Sequence, residues 1–342
     1  MKQPIKRAAS LLLVLAMLVT LFSGMLDVSA VSYPSYNNGK IGELCTALSS
    51  YAQAYYTGNY TYAKLSAQTG TTLKSSISAL VTSDRDTVGY AGLKTYFAKS
   101  DAYEGSSSKL RLFYCGLAYD SSWDGDTNFN REHMWPDSKG GGAAEGDLHS
   151  MRPTDRVLNS SRSNYPYGEA TNGKACYADT NHNKLLGGYL GGGYFEPLDN
   201  VKGDVARAII YDYCTYSSLS NLNLVFQSTT VLLNWIALDP VDEFEMSRND
   251  VIEGIEGCRN PFVDYPELAW KVFNQTAPAD MPTPSNPNAT SYSIAAQSNN
   301  TSYGTVSVSG KTVTAAPKAG YTVDAANPYT LTPATAATVT RE

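Results

Sequence analysis

The composition of the chain breaks sharply once, at "TAPADMPTPSNPNATS". Pro278, Pro282, Pro284 and Pro287 stand there among Ser, Thr and Asn. So proline-rich a stretch reads as a semi-extended linker, here taken as residues 276–290. It divides the 342 residues into a long unit, 31–275, and a short one, 291–342. The long unit has enough residues to bury a sizeable core. The short one does not. In it, "GTVSVSGKTVTAAPKAGYTV" alternates like a hairpin about a Ser-Gly turn, which predicts a small or partial β module. No internal repeat is present.

The N-terminus carries a second constraint. Lys2, Lys6 and Arg7 precede the apolar run from Leu11 to Phe22, and Val28-Ser29-Ala30 offers small residues where a peptidase would cut. That is the pattern of a secretory signal over residues 1–30, too short and wrongly flanked for a membrane span. The mature chain is expected to begin near Val31 and to be secreted. No later stretch is apolar enough to span a bilayer, so no stable membrane insertion is expected. A 42% hydrophobic and 17% charged composition suits a globular domain. Removing Lys2, Lys6, Arg7 and Asp27 with the signal takes the net charge from −6 to about −8. Such a balance opposes tight global binding of nucleic acid and leaves room for a local basic groove. The five cysteines (Cys45, Cys115, Cys176, Cys214 and Cys258) form no CxxC pair, which removes the usual zinc-ribbon spacing. Export permits disulfides, and the odd number leaves at least one thiol outside any internal pair.

Along the long unit, Ile41, Leu44, Leu48, Tyr51 and Tyr55 fall at helical spacing and predict an amphipathic helix. Leu110 to Tyr119, "LRLFYCGLAY", predicts a strand. "GGYLGGGYFEP" predicts a glycine-rich loop; without a Lys-Ser/Thr ending it is a turn rather than a phosphate cradle. "KGDVARAIIYDYCTY" and "VDEFEMSRNDVIEGIEG" predict helices, the first apolar on most sides and hence buried.

Chemistry concentrates in "NREHMWPDSKGGGAAEGDLHSMRPTDRVLNSSRSN", residues 130–164. Two of the chain's three histidines, His133 and His149, lie there. Glu132 and His133 are adjacent, so on an extended strand they point to opposite faces. Thr154 or Asp155 offers an N-cap that would place Asn159 on a short helix with Arg152, Arg156 and Arg162 around it. Carboxylate and amide oxygens are hard ligands suited to magnesium, calcium or manganese rather than zinc. A histidine off the metal can take a proton from water near neutral pH, and guanidinium groups match phosphate. Together these parts describe phosphodiester hydrolysis. Each also has a plainer reading: His149 as a buried histidine bonded to backbone, His182 as a surface residue, Asn159 as a cap, Trp135 as core or as a base-stacking ring. From Arg131 to Arg162 the five basic side chains are matched by five acidic ones, so any positive groove depends on their sorting in space.

"NREHMWP", "EGDLHSMRPTDRVLNSSRSNYPYG", "YFEP…KGDVARA" and "CRNPFVDYPEL", in this order, resemble the endonuclease I family of secreted or periplasmic nucleases, within the ββα-metal (His-Me finger) group. The resemblance covers about residues 40–270 in four separate blocks. It implies an α+β fold with many helices, in which a β-hairpin ending at His133 and a helix holding Asn159 form the finger. It implies His133 as general base, and Glu132 and Asn159 as ligands of one divalent ion, Mg2+ with Ca2+ or Mn2+ as alternatives. It further implies a sequence-non-specific endonuclease acting on DNA, with RNA as a second candidate substrate and the preference between them left open, leaving 5′-phosphate and 3′-hydroxyl ends. Arg131, Lys139, Arg152, Arg156 and Arg162 are the candidates for the substrate phosphate, with His149 and Trp135 in support. Backbone recognition by such cations would make activity fall steeply with salt. The stretch after Glu132-His133, "DSKGGGAAEG", is shorter than in some members and lacks their cysteines and arginine, so Lys139 or Arg162 would have to supply that charge.

Two other classes compete. A cell-surface or glycan-binding protein would use the C-terminal module, with Tyr303 and Tyr321, for cell-wall or glycan contact and the nuclease fold as scaffold. A zinc hydrolase is disfavoured by the absence of HExxH and the wide spacing of the histidines.

Overall fold

The computed structural model describes residues 31–179, 184–289, 304–309 and 312–319. The expected signal segment, His182 and most of the 291–342 module lie outside these residues.

The first helix is shorter than its periodicity predicts. α1 covers only Ser50–Tyr55, because the Ser49 side chain accepts from the Ala52 N–H and caps it there. Upstream, Gly42 takes φ 72° in a turn with Ile41 and Leu44 bridges to Asp242, so Ile41, Leu44 and Leu48 lie outside the helix. α2 (Tyr62–Ser66) and α3 (Gly70–Thr82) follow, and α3 buries Leu73, Ile77, Leu80 and Val81, three or four residues apart. α4 (Gly89–Ser100) buries Leu93 and Phe97. The run expected to form one strand is a hairpin: β1 (Lys109–Arg111) pairs antiparallel with β2 (Ala118–Asp120), Leu110 opposite Tyr119. Gly116, at φ 66°, lies in the reversal between them.

β3 (Phe129–His133) and β4 (Met151–Asp155) make a second antiparallel pair, and α5 (Arg156–Arg162) continues directly from β4. His133 therefore ends the first strand of this pair rather than the hairpin as a whole. β5 (Lys174–Tyr177), β6 (Leu186–Gly191) and β7 (Tyr194–Pro197) form a three-stranded sheet. The glycine-rich segment expected to be a loop supplies β6 and β7, with Gly192 and Gly193 as the turn.

α6 (Asp199–Thr215) runs through the interior and packs on α3, on α7 (Thr229–Leu238) and on α9 (Pro261–Asp264). α8 (Glu243–Glu256) and α10 (Leu268–Val272) complete the helices. In the stretch read as a linker, Met281 joins the principal core and Thr283 bridges to Asn286. That part is packed, because Met281 is apolar enough to be drawn under cover. Beyond it, β8 (Gly304–Ser309) and β9 (Thr312–Pro317) pair antiparallel as the alternation predicts. All five cysteines are free thiols.

The interior is unusually ionic. Arg207 on α6 grips Glu245 on α8, and Arg248 on α8 binds Asp101 through Nε at 2.9 Å. Arg259 is fully buried and meets three carboxylates: Asp264 through two bonds (2.8 and 2.7 Å), Asp250 at 2.7 Å and Glu253 at 2.7 Å. Tyr56 adds its hydroxyl to Asp264 at 2.6 Å. Helices α8 and α9 are thus joined through one guanidinium, and Tyr56, just past the end of α1, reaches the same cluster through Asp264. His149 is buried beside Tyr211, and its Nε2 lies 3.2 Å from the Cys258 carbonyl. A carbonyl only accepts, so Nε2 carries the proton. Burial pulls this imidazole down to about 4, against a smaller opposing effect of Asp147.

Two stability measurements test this polar interior. Replacing Arg259 with Met strands three buried carboxylates, and urea unfolding is expected to show a loss of about 3–5 kcal/mol. A loss near zero would mean the cluster relaxes to solvent. For His149 the folded pKa lies below the unfolded one, so its contribution is complete above pH ~6.5 and is lost as pH falls toward 4. The loss is on the order of 3 kcal/mol. His149→Asn should flatten the pH dependence of stability between pH 7 and 4; an unchanged slope would show that the imidazole protonates without cost.

Candidate active site

Asp155 starts the helix that carries Asn159. Its carboxylate accepts from the backbone N–H groups of Val157 (2.8 Å) and Leu158 (2.9 Å), so of the two candidate caps Asp155 is the one used. The helix stops after Arg162, where Ser163 turns at φ 52° and ψ −125°. In the paired strands Glu132 stands opposite Arg152 and His133 opposite Met151. Strand β3 and helix α5 together bring Glu132, His133, Asn159 and Arg162 to one cavity of about 330 Å³. Pro136, Asp137 and Ser138 line it from the loop side, and Ser163 and Asn164 from beyond the helix.

Glu132 is buried, and burial raises its pKa. Three groups oppose that shift. Arg162 Nη1 lies 3.2 Å from Oε1, and the Tyr114 hydroxyl donates to the same oxygen at 2.6 Å. Tyr167, 2.7 Å from Tyr114 through the two hydroxyls, backs the pair and lies under the Arg162 guanidinium at 4.4 Å. Asn159 has its amide orientation set. Nδ2 donates to Asn130 Oδ1 at 2.8 Å and to the Arg131 carbonyl at 3.3 Å, which leaves Oδ1 as the free end. His133 is half-buried, and desolvation lowers its pKa. Its Nε2 is enclosed and has no hydrogen-bond partner among the described residues.

The other residues singled out in the sequence are placed differently. Arg162 is 1% exposed, and it spans the site by donating to the carbonyls of His133 (3.0 Å) and Met134 (3.0 Å). Arg152 is buried between Asp101 and Asp204, where burial pulls it down to about 10. Opposite Glu132 in the ladder, it faces the helical core and does not line the cavity. Arg131 donates to the Tyr90 carbonyl at 3.2 Å and stacks on the Tyr90 ring. Lys139 is tied to the Leu224 carbonyl at 2.7 Å. Only Arg156 is exposed, with Nε on the Thr127 carbonyl at 2.9 Å. Trp135 is buried, its indole N–H on the Lys139 carbonyl at 2.9 Å, so it packs rather than offering a face to a base. His149 lies in the core. Tyr114, Tyr167, Tyr90 and Asn130 were not singled out from the sequence. Their only signal was membership of aromatic or polar runs that any core contains.

The donors at the cavity suit a hard cation. Glu132 contributes a carboxylate whose hydrogen bond from Tyr114 and ion pair with Arg162 fall on Oε1, and Asn159 an amide oxygen that accepts no hydrogen bond among the described residues. Two oxygens leave room for water and phosphate around a six-coordinate ion. Among the described residues no group of three His, Cys, Asp or Glu side chains is arranged to hold a metal, which a zinc site would require.

Residues 69–267 match the family described as Endonuclease I. The chain is 32% identical over 232 residues to "Extracellular ribonuclease" of Bacillus amyloliquefaciens, spanning 62% of this chain and 77% of that protein. It is 32% identical over 226 residues to "Extracellular ribonuclease" of Bacillus subtilis (strain 168), at 60% and 75%. A "Periplasmic deoxyribonuclease" of Aeromonas hydrophila is 29% identical over 120 residues, 35% of this chain and 48% of that protein. With more than half of its length matched to the family and a glutamate, a histidine and an asparagine gathered at one cavity, the chain belongs to the Endonuclease I family and is a nuclease.

Proposed function

We propose that the chain is a secreted, divalent-metal-dependent endonuclease that hydrolyses DNA and RNA with little regard to sequence. The observation that carries this reading is the meeting of Glu132, His133 and Asn159 at one cavity. Relatives named as extracellular or periplasmic enzymes, some ribonucleases and one a deoxyribonuclease, support the location and the breadth of substrate.

His133 takes a proton from a water poised for in-line attack on the scissile phosphorus. With Nε2 enclosed, Nδ1 is the ring nitrogen left to do so. The lowered pKa keeps the imidazole neutral and able to accept at neutral pH. Glu132 and Asn159 would hold the cation, Asn159 through the oxygen its hydrogen bonds leave free. An ion held there, Mg2+ with Ca2+ or Mn2+ as alternatives, would supply positive charge against the negative charge building on the phosphate and the departing 3′ oxygen. Cleavage on that side leaves 5′-phosphate and 3′-hydroxyl ends. Arg162 fixes the His133 carbonyl and the Glu132 carboxylate at once, and so sets base and ligand relative to each other.

The chain from residue 31, incubated with plasmid DNA and structured RNA, should degrade both with Mg2+ and neither with EDTA. His133→Ala should lower the rate by about 10²–10⁴-fold. Equal degradation by wild type and variant would sink the assignment of the base. Tyr114→Phe removes the hydroxyl that orients Glu132 and should weaken Mg2+ binding, read by calorimetry, by about 10–100-fold. Unaltered binding would show that Arg162 orients the carboxylate alone.

A further inference from the structure

A histidine that works as a base ordinarily has its tautomer and rotation fixed by a hydrogen bond on its other nitrogen. His133 has none. Nε2 is enclosed and unpartnered among the described residues. What the imidazole does meet is an aromatic ring: Tyr90 lies with its centroid 5.6 Å away, the planes inclined by 35°.

Tyr90 is itself held. The Arg131 guanidinium lies 3.8 Å from its ring centroid, and Arg131 Nη1 donates to the Tyr90 carbonyl at 3.2 Å, so one side chain grips both ring and backbone. Arg131 is braced by Trp123, 5.0 Å away, and by Asp126 at 3.8 Å. Tyr90 stands in the first turn of α4, and three contacts fix where that turn begins. Glu256 accepts from the N–H groups of both Val88 and Leu148 at 3.2 Å. Gly146 abuts Gly89 so closely that a Cβ on it would lie 2.7 Å from the Gly89 Cα. Arg85 pairs with Asp147 at 3.2 Å. The turn bearing Tyr90 is thereby fastened to the loop that joins β3 to β4.

We infer that Tyr90 is a positioning residue for His133, and that Arg131 serves the reaction by clamping Tyr90 rather than by binding the substrate phosphate. The inference rests on the reading of His133 as general base. A base must stay within hydrogen-bond reach of its water, and an imidazole fixed by no hydrogen bond needs packing to keep it there. The Tyr90 ring supplies the packing. Arg131 has little left for a phosphate: its charge is shared among a carbonyl, a carboxylate and two rings, and it does not line the cavity.

With only three histidines in the chain, a spectrum of ¹⁵N-histidine-labelled protein can report each ring separately. In Tyr90→Leu, the His133 ring nitrogens should move toward averaged tautomers while those of buried His149 stay put, which verifies the fold. The same variant should lose about 10–100-fold in kcat with KM within about threefold, the size of effect expected from a misplaced base. Tyr90→Phe, which keeps the ring, should restore both the spectrum and most of kcat. Arg131→Met should lower kcat in the same direction and leave KM alone. A higher KM at unchanged kcat in Arg131→Met would make Arg131 a phosphate ligand and overturn the clamp. Unchanged His133 nitrogens in Tyr90→Leu would overturn the positioning role. Full activity in His133→Ala would sink the base assignment separately, since the ¹⁵N spectrum still reports whether Tyr90 fixes that ring.

Discussion

The site depends on one buried ion pair. Arg162 and Glu132 are each 1% exposed, and a carboxylate in that position could not remain charged without its partner. The guanidinium does more than neutralise. By holding the carbonyls of His133 and Met134 it ties the end of β3 to the end of α5, and by lying over the Tyr167 ring it closes the floor beneath them. Strand, helix and carboxylate are thus fixed by a single side chain. An arginine suits this place because its planar fork reaches several acceptors at once and stays charged when buried.

The same device recurs through the fold. Arg207, Arg248 and Arg259 each join helices by meeting carboxylates away from water, and the helices they join carry the apolar faces that form the core. Breaking one such pair leaves a charge that neither water nor protein can satisfy. The active-site pair is a local case of a strategy used across the molecule.

Much of this was legible in the sequence, and the rest was hidden for physical reasons. α6 and α8 follow from their residue patterns, and Asn159 on a helix capped by Asp155 follows from local chemistry. α1 was overestimated because Ile41, Leu44 and Leu48 share helical spacing by accident, while Gly42 and Ser49 decide the backbone. The pair β1 and β2 looked like one strand because the reversal at Gly116 sits inside an apolar run. The arginines misled most. Sequence shows a guanidinium's charge but not its partner, and only three dimensions reveal that Arg131, Arg152 and Arg162 already have theirs. Tyr114 and Tyr167 were invisible for the opposite reason: buried tyrosines read as core until the Tyr114 hydroxyl is seen on Glu132 with the Tyr167 hydroxyl behind it.

The five thiols share one chemical consequence of their burial. None is paired, and burial pushes each of them upward, Cys45 and Cys115 to about 11, away from the thiolate that would react. The folded chain therefore keeps its thiols protonated and slow to react with alkylating or oxidising reagents.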